Sequence, residues 1–184
     1  MTRRIRPLTI VLLAAAIVVV ARPAVAGPPL LCFPFDIGSA SSLPMGHNSW
    51  RDIDASYDVS HLVDDTLAVL TPVAPVNVRM ETIRRATIYA SKSAPVAGAL
   101  LAALQQRAQH PQPATAAFAV FDFGYLVETY REGQHVFQPN TLPAVDSIDG
   151  YSLVLKAQAM QDNGAMLHAA ALIQQGLPRG GARN

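Results

Sequence analysis

The 184-residue sequence is poor in cysteine and in charge: it has one cysteine, and 15% of its residues are charged. A single cysteine excludes an intramolecular disulfide framework and any cysteine-rich metal site. The patterns G-x-S-x-G, S-x-x-K, H-E-x-x-H and the P-loop are all absent, so no familiar acyl-transfer, metalloprotease or nucleotide motif is present. No cofactor motif is present either, and no cofactor is expected. Wholesale disorder is excluded, because 51% of the residues are apolar, enough for a packed core. Fourteen prolines against eleven glycines predict short elements with sharp ends rather than one long helix.

The first 26 residues read as an address rather than part of a fold. Arg3, Arg4 and Arg6 precede an apolar run from Leu8 to Ala21, and Ala24-Val25-Ala26 forms a small-x-small cleavage site. Charged, apolar and small regions in that order are those of a secretory signal peptide. The apolar run is shorter than the ~20 residues that cross a bilayer as a helix, so an uncleaved anchor is the weaker reading. Lipid attachment at Cys32 does not fit, because Leu31 before it is not small. Cys32 reads instead as a lone thiol, with a disulfide-linked dimer as the alternative. Cleavage removes four arginines and no acid, which leaves ten basic against thirteen acidic residues, net −3. A nucleic-acid partner is not expected of such a chain. No second long apolar run follows, so no stable membrane span is expected after cleavage, and the mature protein should be periplasmic or secreted.

Residues 27–57 carry Pro28, Pro29, Pro34 and Pro44 and no sustained period. An extended segment over the domain is expected, anchored by Phe33, Phe35 and Trp50. Helical signals follow from residue 58 to 177. Asp58 or Ser60 caps a first helix, with Val59, Leu62, Thr66, Val69 and Leu70 on one face and Thr71-Pro72 as its stop. A second helix runs from about Pro75 to Ala90. Val76, Met80, Ile83, Thr87 and Ala90 form its apolar stripe, with Arg79, Glu81, Arg84 and Arg85 pointing elsewhere. Ser93 and Pro95 start a third, which His110-Pro111 ends. The fourth runs from about Pro113 to Arg131, and a loop from Gly133 to Asp146 follows. A fifth covers about Asp149 to Gln161 and a sixth Ala165 to Gln175; residues 178–184 read as a loose tail. No stretch alternates with period two long enough for a strand. The predicted class is therefore all-α: about six short antiparallel helices in an irregular bundle or a stack of helical hairpins.

Alternate helix starts repeat every 36 to 38 residues, near the ~34 of tetratricopeptide repeats. The run DGYSLVLKAQAMQDNGAMLHAAALI resembles such a repeat, although the Trp and Leu-Gly positions of that family are missing. Four other runs, LCFPFDIG (Leu31 to Gly38), RMETIRRATIYA (Arg79 to Ala90), FGYLVETY (Phe123 to Tyr130) and DGYSLVLKA (Asp149 to Ala157), resemble a group of small exported bacterial proteins with no assigned function. That resemblance implies an exported helical protein and transfers no catalytic or binding residue.

The fourth helix reads AAFAVFDFGYLV from Ala116 to Val127, with Asp122 as its one charge. Apolar on both faces, it should be the central helix. An isolated buried carboxylate is costly, so Asp122 should be protonated, hydrogen-bonded or paired, and a buried pair with Arg84 or Arg85 is the expected arrangement. A structural pair is favoured over a catalytic carboxylate. Glu81 with Arg85, and Glu128 with Arg131, have the spacing of ordinary surface pairs. Together with Arg84 and Asp122 they form the candidate polar cluster: Glu81, Arg84, Arg85, Asp122 and Glu128.

Metal readings are weaker. Asp52, Asp54 and Ser56 begin like a calcium loop, but Tyr57 and Val63 stand where an EF-hand needs Gly and Glu. His47, His61 and Asp65 supply three candidate ligands without a second histidine-rich element. His168, amid LHAAALI, reads as a packing histidine. The leading functional reading is an exported helical module that binds or scaffolds, with another envelope protein as partner. The alternatives are a small hydrolase or ligand-binding protein with a polar cavity near Asp122, and an exported metal-binding protein.

Overall fold

The computed structural model describes residues 29–139 and 141–176. The signal segment 1–26 and the tail 178–184 lie outside them. Among the described residues the fold is all-helical, with no strand. Six α-helices follow in order: α1 Leu62–Val69, α2 Val76–Ala90, α3 Ala94–Gln109, α4 Ala116–Val136, α5 Gly150–Met160 and α6 Gly164–Gly176. Short 3₁₀ turns at Val59–His61 and Pro113–Thr115 lead into α1 and α4. None of these helices is long and apolar enough to cross a membrane.

Local chemistry sets the helix ends. The Asp58 carboxylate accepts from the Ser60 amide at 2.9 Å, and Asp149 accepts from the Ser152 amide at 3.0 Å, each satisfying an amide that the helix start leaves open. Pro95 occupies the first turn of α3, where a missing N–H does no harm. The expected end of the fourth helix is corrected: α4 runs through Gly133 to Val136, one turn beyond Arg131.

α4 is the centre, packing against α2, α3, α5 and α6. Its residues from Ala119 to Tyr130 are all buried. Thr87 and Thr129 share a hydrogen bond at 2.9 Å between α2 and α4, and the Tyr130 hydroxyl donates to the Ala97 carbonyl of α3 at 3.0 Å. α5 crosses α4 with backbones nearly touching. A methyl group on Gly124 would sit 2.8 Å from the Gly150 carbonyl oxygen, and one on Gly150 would sit 2.5 Å from the Gly124 oxygen. Glycine at both positions is what allows this approach.

The expected amphipathic pattern of α2 is corrected. Apart from Asn77 and the half-buried Arg85, every residue from Val76 to Ala90 is buried, Arg79, Glu81 and Arg84 included. The cause is the chain ahead of the helices. Residues 29–57 form turns and bends, so their backbone carbonyls have no ladder to satisfy them. The arginines of α2 do so instead: Arg84 donates to the Leu31 and Trp50 carbonyls at 3.0 and 3.2 Å, and Arg85 to the Leu43 carbonyl at 2.5 Å. The Tyr89 hydroxyl adds a bond to the Pro44 carbonyl at 2.8 Å. Phe35 and Trp50 pack against the core, but Phe33 is 56% exposed and does not anchor the segment as expected.

Candidate functional site

The five residues of the candidate polar cluster do not form one site. They divide into three buried groups, each built around an arginine–carboxylate pair.

The first corrects the expected partner of Asp122. It is Arg79, not Arg84 or Arg85: Arg79 Nη1 lies 2.7 Å from Asp122 Oδ2, and both side chains are buried. Arg79 also donates to the Ala74 carbonyl at 3.0 Å and to the Thr71 carbonyl, and its guanidinium lies 4.1 Å from the Phe118 ring centroid. The pair thus pins the α1–α2 connection to the central helix. Burial pushes the Asp122 carboxyl up to about 6, against the pull of Arg79 and Arg107. It is therefore still ionised at neutral pH, which a buried guanidinium at 2.7 Å requires.

The second group is centred on Glu81, and it too departs from expectation. Glu81 and Arg85 are not a surface pair, because Glu81 is fully buried. Its two oxygens accept from Arg84 at 2.7 and 2.9 Å, from Arg85 at 2.7 Å and from the Phe35 amide at 3.0 Å. Burial alone would raise its pKa, but these donors together hold it below the ordinary carboxylate range. Glu81, Arg84 and Arg85 line a cleft of about 350 Å³ with His47 and Trp50, where two guanidiniums share the one carboxylate and turn their remaining donors to the Leu31, Leu43 and Trp50 carbonyls. In the third group Glu128 is ion-paired with Arg131 and accepts from the Tyr151 amide at 2.8 Å. Glu128 is buried, so this pair is not on the surface either.

The metal readings find no geometry. Asp65 accepts from the Tyr57 hydroxyl at 2.7 Å, and His61 lies 3.7 Å from Asp58. Among the described residues no three His, Cys, Asp or Glu side chains are placed to hold a metal ion.

A larger cleft, of about 540 Å³, lies where residues 29–35, the end of α4 and α6 meet. Pro29, Phe33, Pro34 and Phe35 form one wall; Glu132 and His135, three residues apart on α4, form the second. His168, Leu172 and Gln175, at spacings of four and three on α6, form the third. His168 is exposed to this space and is not the packing histidine expected. Glu132 and His135 were invisible as site residues while helix α4 was expected to stop at Arg131. The signal was the spacing itself: Glu128, Glu132 and His135 fall on one helical face. No family model, curated protein or solved structure matches this chain. The reading of the cleft therefore rests on its own chemistry.

Glu132 is the unusual group. It accepts the Leu30 amide at 3.1 and 3.3 Å, and it has no ion-pair partner among the described residues. Burial first, then the nearby Glu128 charge, pushes its carboxyl up to about 7. A carboxyl near 7 can hold or release a proton at physiological pH. The Cys32 thiol is pushed up by burial and by the Glu132 charge, which disfavours a thiolate nucleophile beside it.

A raised folded-state pKa ties stability to pH. Between about 4.5 and 7 folded Glu132 holds a proton that the unfolded chain has lost, so its contribution is full below that window and declines as pH rises through it. Glu132→Gln removes the ionisation while keeping an oxygen for the Leu30 amide. Relative to wild type the variant should gain roughly 2 to 3 kcal/mol between pH 5 and 8, at about 1.4 kcal/mol per pH unit. Chemical denaturation across that range reads the gain; parallel stability curves would show that Glu132 is not desolvated.

Proposed function

We propose that this is an exported helical binding protein, and that the cleft between residues 29–35, α4 and α6 receives part of an envelope partner. The observation that carries the reading is the cleft's combination of shape and lining. Its volume falls within the few-hundred-Å³ range of specific binding sites, its walls are largely apolar, and its titratable groups gather on the α4 and α6 sides. Phe33 supports it further, since a large aromatic side chain left 56% exposed at the rim of a cleft is a ready contact surface. Export is inferred from the signal-like first 26 residues alone. The competing reading of a reactive cavity at Asp122 gains nothing, because that carboxylate is fully buried against Arg79.

The test is affinity capture from an envelope extract with three proteins: wild type, Phe33→Asp in the cleft, and Val73→Asp. Val73 is 89% exposed on the α1–α2 connection, outside the cleft, so Val73→Asp serves as the control. One species should be retained by wild type and Val73→Asp and lost with Phe33→Asp. Retention by all three, or no retained species, contradicts the reading. Mass measurement of the exported protein should give a chain starting at Gly27, and a full-length mass rejects cleavage.

A further inference from the structure

The three fully buried carboxylates described above are each neutralised by arginine: Asp122 by Arg79, Glu81 by Arg84 and Arg85, and Glu128 by Arg131. Glu132, half-buried, has no ion-pair partner among the described residues, and it is the carboxyl that opens onto the largest cleft described. It also lines a smaller cavity of about 180 Å³ that shares His135 and Gly176 with that cleft and adds Leu30, Glu128, Arg131 and Ile173. A carboxylate has about four lone-pair sites, and the backbone amides of Leu30 and Leu31 do not use them all. A guanidinium would approach such a carboxylate through two parallel bonds, and an ammonium through one. Beside Glu132, His135, His168 and Gln175 the lining is apolar, from Phe33 and Phe35 across to Leu172.

We propose that the cleft recognises a polypeptide segment that places an arginine or lysine side chain against Glu132 and an apolar side chain between Phe33 and Leu172. This rests on the binding reading above and specifies its partner chemistry. The counter-charge that no described residue brings to Glu132 is supplied by the partner, as arginine supplies it within the protein at Asp122, Glu81 and Glu128. The charged groups facing Glu132 are few. Glu128 is neutralised by Arg131; Cys32 lies on the preceding segment; His135 and His168 face the cleft from α4 and α6. Protonation of either histidine adds like charge against a cationic segment. Binding requires ionised Glu132, so affinity should fall about tenfold from pH 8 to pH 6 for a carboxyl near 7, and further if a histidine is protonated.

The experiment is a random heptapeptide display library panned against the purified protein, with Glu132→Gln, Phe33→Asp and Val73→Asp as comparisons. Enriched peptides should carry Arg or Lys beside an aromatic or aliphatic residue. They should bind Glu132→Gln at least tenfold more weakly, be lost with Phe33→Asp and bind Val73→Asp unchanged. Enriched peptides that depend on Phe33 but lack a basic residue, or that bind Glu132→Gln as well as wild type, overturn this inference and leave the binding reading standing. A panel with no peptide that depends on Phe33 overturns both. Failure to fold does not confuse the outcome: Glu132→Gln is expected to be at least as stable as wild type, and Phe33 and Val73 are exposed.

Discussion

Asp122→Ala is expected to destabilise the protein by about 3 to 5 kcal/mol, because it leaves the Arg79 guanidinium buried without its counter-charge. Two further consequences distinguish this from simple loss of packing. Asp122→Asn keeps nearly the same volume and a hydrogen-bonding oxygen but removes the charge, so it should lose most of the same stability. Replacing both partners, with Arg79→Met and Asp122→Leu, removes the uncompensated charge and should recover a large part of it. Recovery stays incomplete, because Arg79 also serves the Ala74 and Thr71 carbonyls, and a buried carbonyl left without a donor costs about 1 to 3 kcal/mol. Denaturant titration of the four proteins measures this directly. A loss below about 1 kcal/mol for Asp122→Ala is the size of a solvent-exposed pair and would contradict the burial of this one.

The second large effect lies at Glu81. Glu81→Ala removes the acceptor for four hydrogen bonds: two from Arg84, one from Arg85 and one from the Phe35 amide. The expected loss is again about 3 to 5 kcal/mol, but its location differs. Arg84 and Arg85 hold the carbonyls of Leu31, Leu43 and Trp50, so the irregular segment over α2 should loosen before the helices do. Amide exchange should accelerate at Phe35 and the neighbouring segment under native conditions, and trypsin should cut sooner after Arg51. Asp122→Ala, by contrast, should speed exchange only in step with global stability. Unchanged exchange around Phe35 in Glu81→Ala would show that the segment is held by apolar packing alone.

These two sites mark where the sequence is readable and where it is not. Most helix ends were legible because the signals are local: Asp58 caps, Pro95 starts, and Pro72 and Pro111 stop, whereas the end of α4 was not. The burial of Asp122 and the central place of α4 were legible because no polar face remains between Ala116 and Val127. The partner of Asp122 was not. Arg79, Arg84 and Arg85 are equivalent on helical spacing until the rotation of α2 is known, and that rotation is fixed by what covers its other side. Residues 31–50 draw Arg84 and Arg85 towards themselves, leaving Arg79 for α4. Periodicity misplaces α2 for the same reason: an arginine counts as an outward residue unless the carbonyls it will serve are known.

The cleft was hidden by two smaller errors with one origin. Ending the fourth helix at Arg131 removed Glu132 and His135 from any helical face, and reading His168 as a packing residue removed the facing wall. Both rest on tertiary information, since the cleft exists only where residues 29–35 meet the ends of two helices distant in sequence. That Glu132 has no ion pair among the described residues can be seen only when the other carboxylates have been paired.

The most direct test of the account is amide hydrogen exchange on the protein alone and saturated with a heptapeptide enriched by the display experiment. Protection should rise at residues 30–35, at the last turn of α4 around Glu132 and along α6 near His168 and Leu172, with no change on the exposed connection at Val73. Protection confined to other faces, or spread evenly over the chain, would contradict the assignment of this cleft as the binding site.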